Sequence, residues 1–279
     1  GELIKRTDSG NRNLEQFLKR IDPEKSLVYS HHCSYQIVNP DVVRNTEVVS
    51  SWRICLEETD FTIDELKKGR KLGFIGSSDT HRQVPGRGGA LTGVYAEELT
   101  PEAILEAYYN RRIIATSGSK VMIDFRINGV FIGTRVKVGG PAKLELYCKV
   151  KAPRDIETIT IVKNGARWRH FSVSGNEEEI SLMDSFNDYD TNSFYFVRVK
   201  LKGEPSLNMP PSSSATTKEA ATSEEASSEG ASAAIPREES ERSSLGPFTN
   251  QSRYPHNLAR GRGVFAWTSP IWVERVDRP

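Results

Sequence analysis

Leu72-Gly-Phe-Ile-Gly-Ser-Ser-Asp-Thr-His81 is the stretch on which the fold reading turns. Its first five residues are apolar or glycine without alternation, the pattern of a strand buried on both faces in a parallel sheet. The strand then runs directly into Asp79-x-His81. A carboxylate and an imidazole two residues apart on the extended exit of a strand can both turn toward one metal ion or toward adjacent ions, and Zn, Mn and Fe take these donors. The competing reading is that Asp79 only caps a turn.

The segments on either side fit an α/β arrangement. Ser26-Leu-Val-Tyr-Ser30 reads as a strand and is followed by His31-His32; Thr46-Glu-Val-Val49 reads as another. Leu14, Phe17, Leu18 and Ile21 share one face of a helix that Pro23 stops. Thr62-Ile-Asp-Glu65 has the spacing of a capping box, and Gly69 can close the helix it opens. Thr100-Pro101 opens a further helix with Ile104, Leu105 and Tyr108 inward. Residues 1–120 are therefore expected to form an α/β region with parallel strands. His31, His32 and His81 fall at the carboxyl ends of its strands, the edge where ligands bind in such folds.

After residue 120 the apolar period switches to two. Asn128-Gly129 and Asn164-Gly165 are hairpin signals. Lys143–Val150 alternates, and Ser193–Leu201 and Val264–Val276 read as the last two strands. This predicts a β-sandwich over 121–203, completed by residues 245–279. Between them, 204–244 is rich in Ser, Ala, Glu, Thr and Pro and has almost no large apolar side chains, so it is expected to be a disordered insertion. Loop closure tolerates such an insertion, since doubling a loop costs only about 0.6 kcal/mol.

With 38 Lys and Arg against 37 Asp and Glu, bulk positive charge does not drive nucleic-acid binding, and none is expected. No run of eighteen apolar residues is present, and Gly1–Asn13 lacks the apolar core of a secretory signal, so no membrane association is expected. Cys33, Cys55 and Cys148 are scattered without a CxxC spacing, which argues against a disulfide framework and makes a reducing, cytoplasmic setting the default expectation.

Several clustered motifs carry a resemblance. SSDTH (Ser77–His81), PGRGG (Pro85–Gly89), LTGVYAEELT (Leu91–Thr100) and ATSGSK (Ala115–Lys120) resemble the polymerase and histidinol phosphatase (PHP) superfamily of metal-dependent phosphoesterases. DFRINGVFIGT (Asp124–Thr134), VKNGARW (Val162–Trp168), FYFVRV (Phe194–Val199) and AWTSPIWVE (Ala266–Glu274) are similar to the branch of that superfamily with a β-sandwich tail. The resemblance implies part of a distorted (β/α)7 barrel with two or three divalent metal ions (Mn, Zn or Fe) at its carboxyl edge. On the matching positions it implies Asp79 and His81 as metal ligands. The SHH of Ser30–His32 resembles the family's PHH, which favours His31 as a ligand and leaves His32 as a supporting or catalytic alternative. Glu47 is a further candidate ligand, and Arg82 is placed to bind a phosphate. The implied activity is hydrolysis of a small-molecule ester, a phosphate ester first, by metal-activated water. Carbamate, amide or carboxylic ester hydrolysis, and a non-catalytic binding protein, are the alternatives. The family's opening His-x-His strand has no counterpart, since no histidine precedes His31. The chain therefore reads either as an amino-terminally truncated piece or as one that has lost part of its metal site.

Other features have plainer explanations. Gly86, Gly88 and Gly89 form a turn that can approach an anion. Glu97-Glu98 and Arg111-Arg112 complement the dipole of the helix between them. Trp267 and Trp272 are expected as one core and one edge residue, and Cys33 as a buried thiol.

Overall fold

The computed structural model describes residues 14–22, 25–31, 37, 39–50, 53–79, 89–187, 189–190, 192–203 and 263–276. All of them belong to one compact unit. The expected insertion at 204–244, with His32, Cys33, His81, Arg82, Gly86, Gly88 and His256, lies outside the described residues.

Three parallel strands, β1 (Val28–Ser30), β2 (Val43–Ser50) and β3 (Gly73–Ser77), form a sheet in that order. β2 is buried along nearly its whole length and β3 over Gly73–Gly76, as their unalternating sequences require. Helices α1 (Leu14–Leu18), α2 (Cys55–Glu58) and α3 (Phe61–Lys67) accompany this sheet. The capping-box expectation is displaced: Asp60 is the N-cap residue, while Thr62 and Glu65 are buried inside α3. Glu65 pairs instead with Lys68 and Arg70. Gly69 ends the helix with φ +85°, as expected of glycine past a helix C-terminus.

Two antiparallel layers follow. One has the order β11 (Ala166–Ser172), β10 (Ile156–Lys163), β13 (Asn192–Leu201), β14 (Val264–Thr268), β5 (Ile113–Thr116), β4 (Leu91–Val94); β15 (Ile271–Arg275) pairs with β13 and, in parallel, with β8 (Arg135–Val138). The other is β12 (Glu177–Phe186), β9 (Ala142–Lys151), β6 (Met122–Ile127), β7 (Val130–Phe131). Alternation along β6 sends Ile123, Phe125 and Ile127 into a core shared with Ile159, Ile161, Tyr195, Val197 and Val199 from the first layer. The opposite parity of β13, Phe194 and Phe196, enters a second core with Phe74, Leu66, Leu72 and Val48. The β13 layer is therefore central, buried on both faces. Trp267 and Trp272 are both in that second core, at 0% and 4% exposure, so the expectation of one core and one edge residue is corrected to two core residues.

The expected (β/α)7 barrel is not formed. Among the described residues the helices are short and strands dominate. α4 (Pro101–Tyr109), the best-formed helix, connects β4 to β5, and these two pair antiparallel, so it is not the crossover of a βαβ unit. The outer edge of β3 is closed by side chains. Thr92 Oγ1 accepts from Gly76 N at 3.0 Å and donates to Gly76 O at 2.7 Å. Ser269 Oγ accepts from Phe74 N at 3.1 Å and donates to Ile113 O at 2.9 Å. A strand edge satisfied by hydroxyls of the neighbouring layer has no ladder left to offer a fourth parallel strand. The central layer also crosses residue 120, since β4 and β5 pair into the sheet with β14.

Candidate functional site

The parallel register decides which polar residues meet. Ser30 is opposite Thr46, which brings His31 beside Glu47, and Ser50 is opposite Ser77, two residues before Asp79. The pairing of β2 with β3 shifts between Glu47 and Val49, a local irregularity of the kind that re-aims side chains.

Glu47 is fully buried and organises the group. One of its carboxylate oxygens lies 2.8 Å from His31 Nδ1 and accepts from Ser77 Oγ at 2.5 Å. The tautomer with the proton on Nδ1 lets His31 donate to this carboxylate. In a neutral ring Nε2 then carries a lone pair, and it faces Asp79 Oδ2 at 4.0 Å. Asp79 is 11% exposed and His31 40%, so the carboxylates form the floor and the imidazole the rim. Asp79 has φ +43°, a left-handed backbone that aspartate adopts more readily than most side chains. Tyr29, on the strand that delivers His31, has its phenol pKa raised, by burial first and then by Glu47, Tyr108 and Asp79.

His31 Nε2 and Asp79 Oδ2 are donor atoms of the kinds that divalent metal ions take. The separation of 4.0 Å is too wide for a hydrogen bond and wider than the ~3.3–3.6 Å that a tetrahedral ion with bonds of about 2.0–2.2 Å sets between two of its ligands. A carboxylate on the far ring nitrogen is the usual second contact of a metal-binding histidine. With Glu47 engaged there, His31 and Asp79 supply two donors. Among the described residues no group of three or more His, Cys, Asp and Glu side chains converges as a metal site. The structure thus brings together three of the sequence-derived residues, His31, Glu47 and Asp79. His32, His81 and Arg82 lie outside the described residues.

Ser77 and Tyr29 were not anticipated. The signal for Ser77 was its place at the carboxyl end of a parallel strand, and for Tyr29 its position two residues before His31. His170 bonds Thr160 Oγ1 from β11, away from this group. Cys148 is a free, buried thiol whose pKa burial pushes up to about 12, which keeps it protonated and inert. Cys55 is disulfide-bonded, which the scattered cysteine spacing did not predict.

No family model matches the chain. An uncharacterized protein of Chlamydia muridarum is 23% identical over 278 residues, covering 87% of this chain and 36% of its own length. One of Chlamydia trachomatis serovar D is 22% identical, covering 85% and 35%. The chain spans about a third of the length of these curated relatives. Among solved structures, the CARDB domain of the PF1109 protein from Pyrococcus furiosus aligns over 30% of this chain and 74% of its own, with 17% identity and a TM-score of 0.20. No helix among the described residues is long and apolar enough to cross a membrane.

Proposed function

We propose that the chain carries part of the active site of a metal-dependent hydrolase acting on a small-molecule ester, a phosphate ester first. The observation that supports this is the line Glu47–His31–Asp79, in which a buried carboxylate fixes one ring nitrogen and turns the other toward a second carboxylate. His31 Nε2 and Asp79 would hold a divalent ion (Mn, Zn or Fe), with His81 as the further ligand suggested by the PHP resemblance. Such an ion lowers the pKa of a bound water toward neutrality and takes up charge on the ester. Glu47 holds the His31 tautomer, and Ser77 holds Glu47. Arg82 and His32 are the candidates for contacts to the ester.

Equilibrium dialysis of the full 279-residue chain against Mn or Zn tests the reading. His31→Gln and Asp79→Asn should each weaken metal binding at least tenfold. Glu47→Gln, which alters only the supporting contact, should weaken it by about ten- to a hundredfold. Hydrolysis of an aryl phosphate should fall with metal occupancy. Unchanged metal binding in the His31→Gln/Asp79→Asn double variant overturns the assignment. An absence of any metal binding in the parent chain favours the second reading, a non-catalytic binding protein. The two donors among the described residues are the observation in its favour.

A further inference from the structure

At the opposite end of the parallel strands, where β2 and β3 begin, the surface opens into a cavity of about 730 Å³. Its lining includes the cations Arg44, Lys68, Arg70, Lys71, Arg111 and Arg135 and one carboxylate residue, Asp41. The local carboxylates neutralise part of this charge. Glu65 takes Lys68 at 2.7 Å and Arg70 at 2.5 Å, while Glu274 takes Lys71 at 2.7 Å and stands 3.8 Å from Arg135. Among the described residues, neither Arg44 nor Arg111 has a carboxylate in ion-pair range. Each guanidinium lies over an aromatic ring, Arg44 at 5.2 Å from the Tyr109 centroid and Arg111 at 5.7 Å from that of Trp272. Arg44 Nε donates to Asp41 O at 3.0 Å and Arg111 Nε to Lys71 O at 2.8 Å. These contacts fix the two planes and leave the terminal nitrogens of each for a ligand.

The backbone points the same way. Arg111 follows the C-cap residue Asn110 of α4 with φ +56°, a place where glycine is the residue at ease. Backbone strain of this kind clusters where a side chain is held for what it contacts. Gly133 makes the approach possible, since a Cβ there would meet Asn110 O at 2.2 Å and the Arg111 carbonyl carbon at 2.6 Å. Burial, followed by the like charges of Arg44 and Arg135, pushes the Arg111 pKa down to about 10. The guanidinium is still charged at neutral pH and lacks its compensating anion.

We propose that this cavity binds a phosphate-bearing small molecule, with Arg44 and Arg111 gripping the phosphate and Arg135 at the rim. The chemistry follows from planar guanidinium forks converging on one concave site, the arrangement suited to a tetrahedral oxyanion. The near-balanced charge of the whole chain and the concave form of the site favour a small ligand over a nucleic-acid strand. This inference is independent of the metal reading, because none of the residues is shared.

Isothermal titration of the full chain with inorganic phosphate, pyrophosphate and a sugar bisphosphate tests it. Binding of at least one of these is expected, tightened at low salt. Tighter binding of the sugar bisphosphate than of pyrophosphate assigns an organic phosphate, and the reverse order assigns an inorganic one. Arg44→Gln and Arg111→Gly should each weaken binding at least tenfold, and Arg135→Gln less. Arg111→Gly keeps a residue suited to the backbone, and Arg44→Gln reads the site independently of the helix end. Lys151→Gln, an exposed cation on β9, should leave binding unchanged. The proposal is overturned if none of the three anions binds, or if Lys151→Gln weakens binding as much as Arg44→Gln.

Discussion

Asp79 separates what the site needs from what the fold needs. Its φ of +43° strains an L-residue, and glycine would remove that strain while adding unfolded-chain entropy; both terms are about 1 kcal/mol and opposed. Asp79→Gly should therefore leave the thermal midpoint within about 2–4 °C of the parent, the shift that about 1 kcal/mol produces in a domain of this size. Asp79→Val, β-branched in the same conformation, should lower it by more. Both variants should lose metal affinity to the same degree. A large drop in midpoint for Asp79→Gly alone would make Asp79 a structural residue and remove its claim to a ligand position. Glu47 carries the opposite balance, being wholly buried and bonded to both His31 and Ser77, so its loss perturbs packing and site together. Arg111 was read from sequence as a complement to the helix dipole. The structure turns its side chain to the cavity, and the left-handed backbone that permits this is not encoded in the residue type.

Among the elements, the seam between β3 and the central layer is the decisive feature. Ser269 satisfies the buried Phe74 N–H and donates to Ile113 O in turn. Ser269→Ala strands the Phe74 N–H, while Ile113 O keeps the Ser269 backbone N–H at 3.1 Å, and should cost about 1–3 kcal/mol; Thr92→Val should act similarly at Gly76. Chemical denaturation reads the loss, and an unchanged midpoint in both variants would show that the seam contributes nothing. Local signals were legible wherever they depend on a few adjacent residues. Asn128-Gly129 and Asn164-Gly165 adopt positive φ and join β6 to β7 and β10 to β11. Thr100 caps α4 by accepting from Ala103 N. Val264–Val276, expected as one strand, is two, because it turns at Ser269-Pro270, after which β15 pairs with β13 and with β8. The barrel expectation failed for a non-local reason. Apolar strands separated by helical stretches look the same in sequence whether the helix crosses to a parallel neighbour or folds back, as α4 does. Hydroxyls from residues 92 and 269 closing the edge of a strand at residues 73–77 leave no sequence pattern. In the His31–Glu47–Asp79 group, His31 and Asp79 were legible as residues at the exits of parallel strands, whereas Glu47, in the middle of β2, was marked only by the PHP resemblance.

At the scale of the molecule, the central layer ties the two cores into one folding unit. β13 alternates between them residue by residue, and Phe265 and Trp267 on β14 stack at 5.5 Å beneath the parallel sheet while Ala266 faces the sandwich. Arg198 on β13 reaches Glu57 of α2 at 2.7 Å, so the helical side is also fastened to this layer. A loss of either core would expose one whole face of the central layer, and neither core can melt alone without that penalty. The described region should therefore unfold in a single transition, with far-ultraviolet and near-ultraviolet circular dichroism coincident. Phe74→Ala in one core and Ile161→Ala in the other should both lower that same transition, by about 3–5 and 2–5 kcal/mol respectively. Cutting the chain at residue 120 should not liberate a stable sandwich, because β4 and β5 leave with the amino-terminal piece and β14 loses one of its two partners. Two resolved transitions, each moved by only one of the substitutions, would show that the layers are separate domains that merely touch.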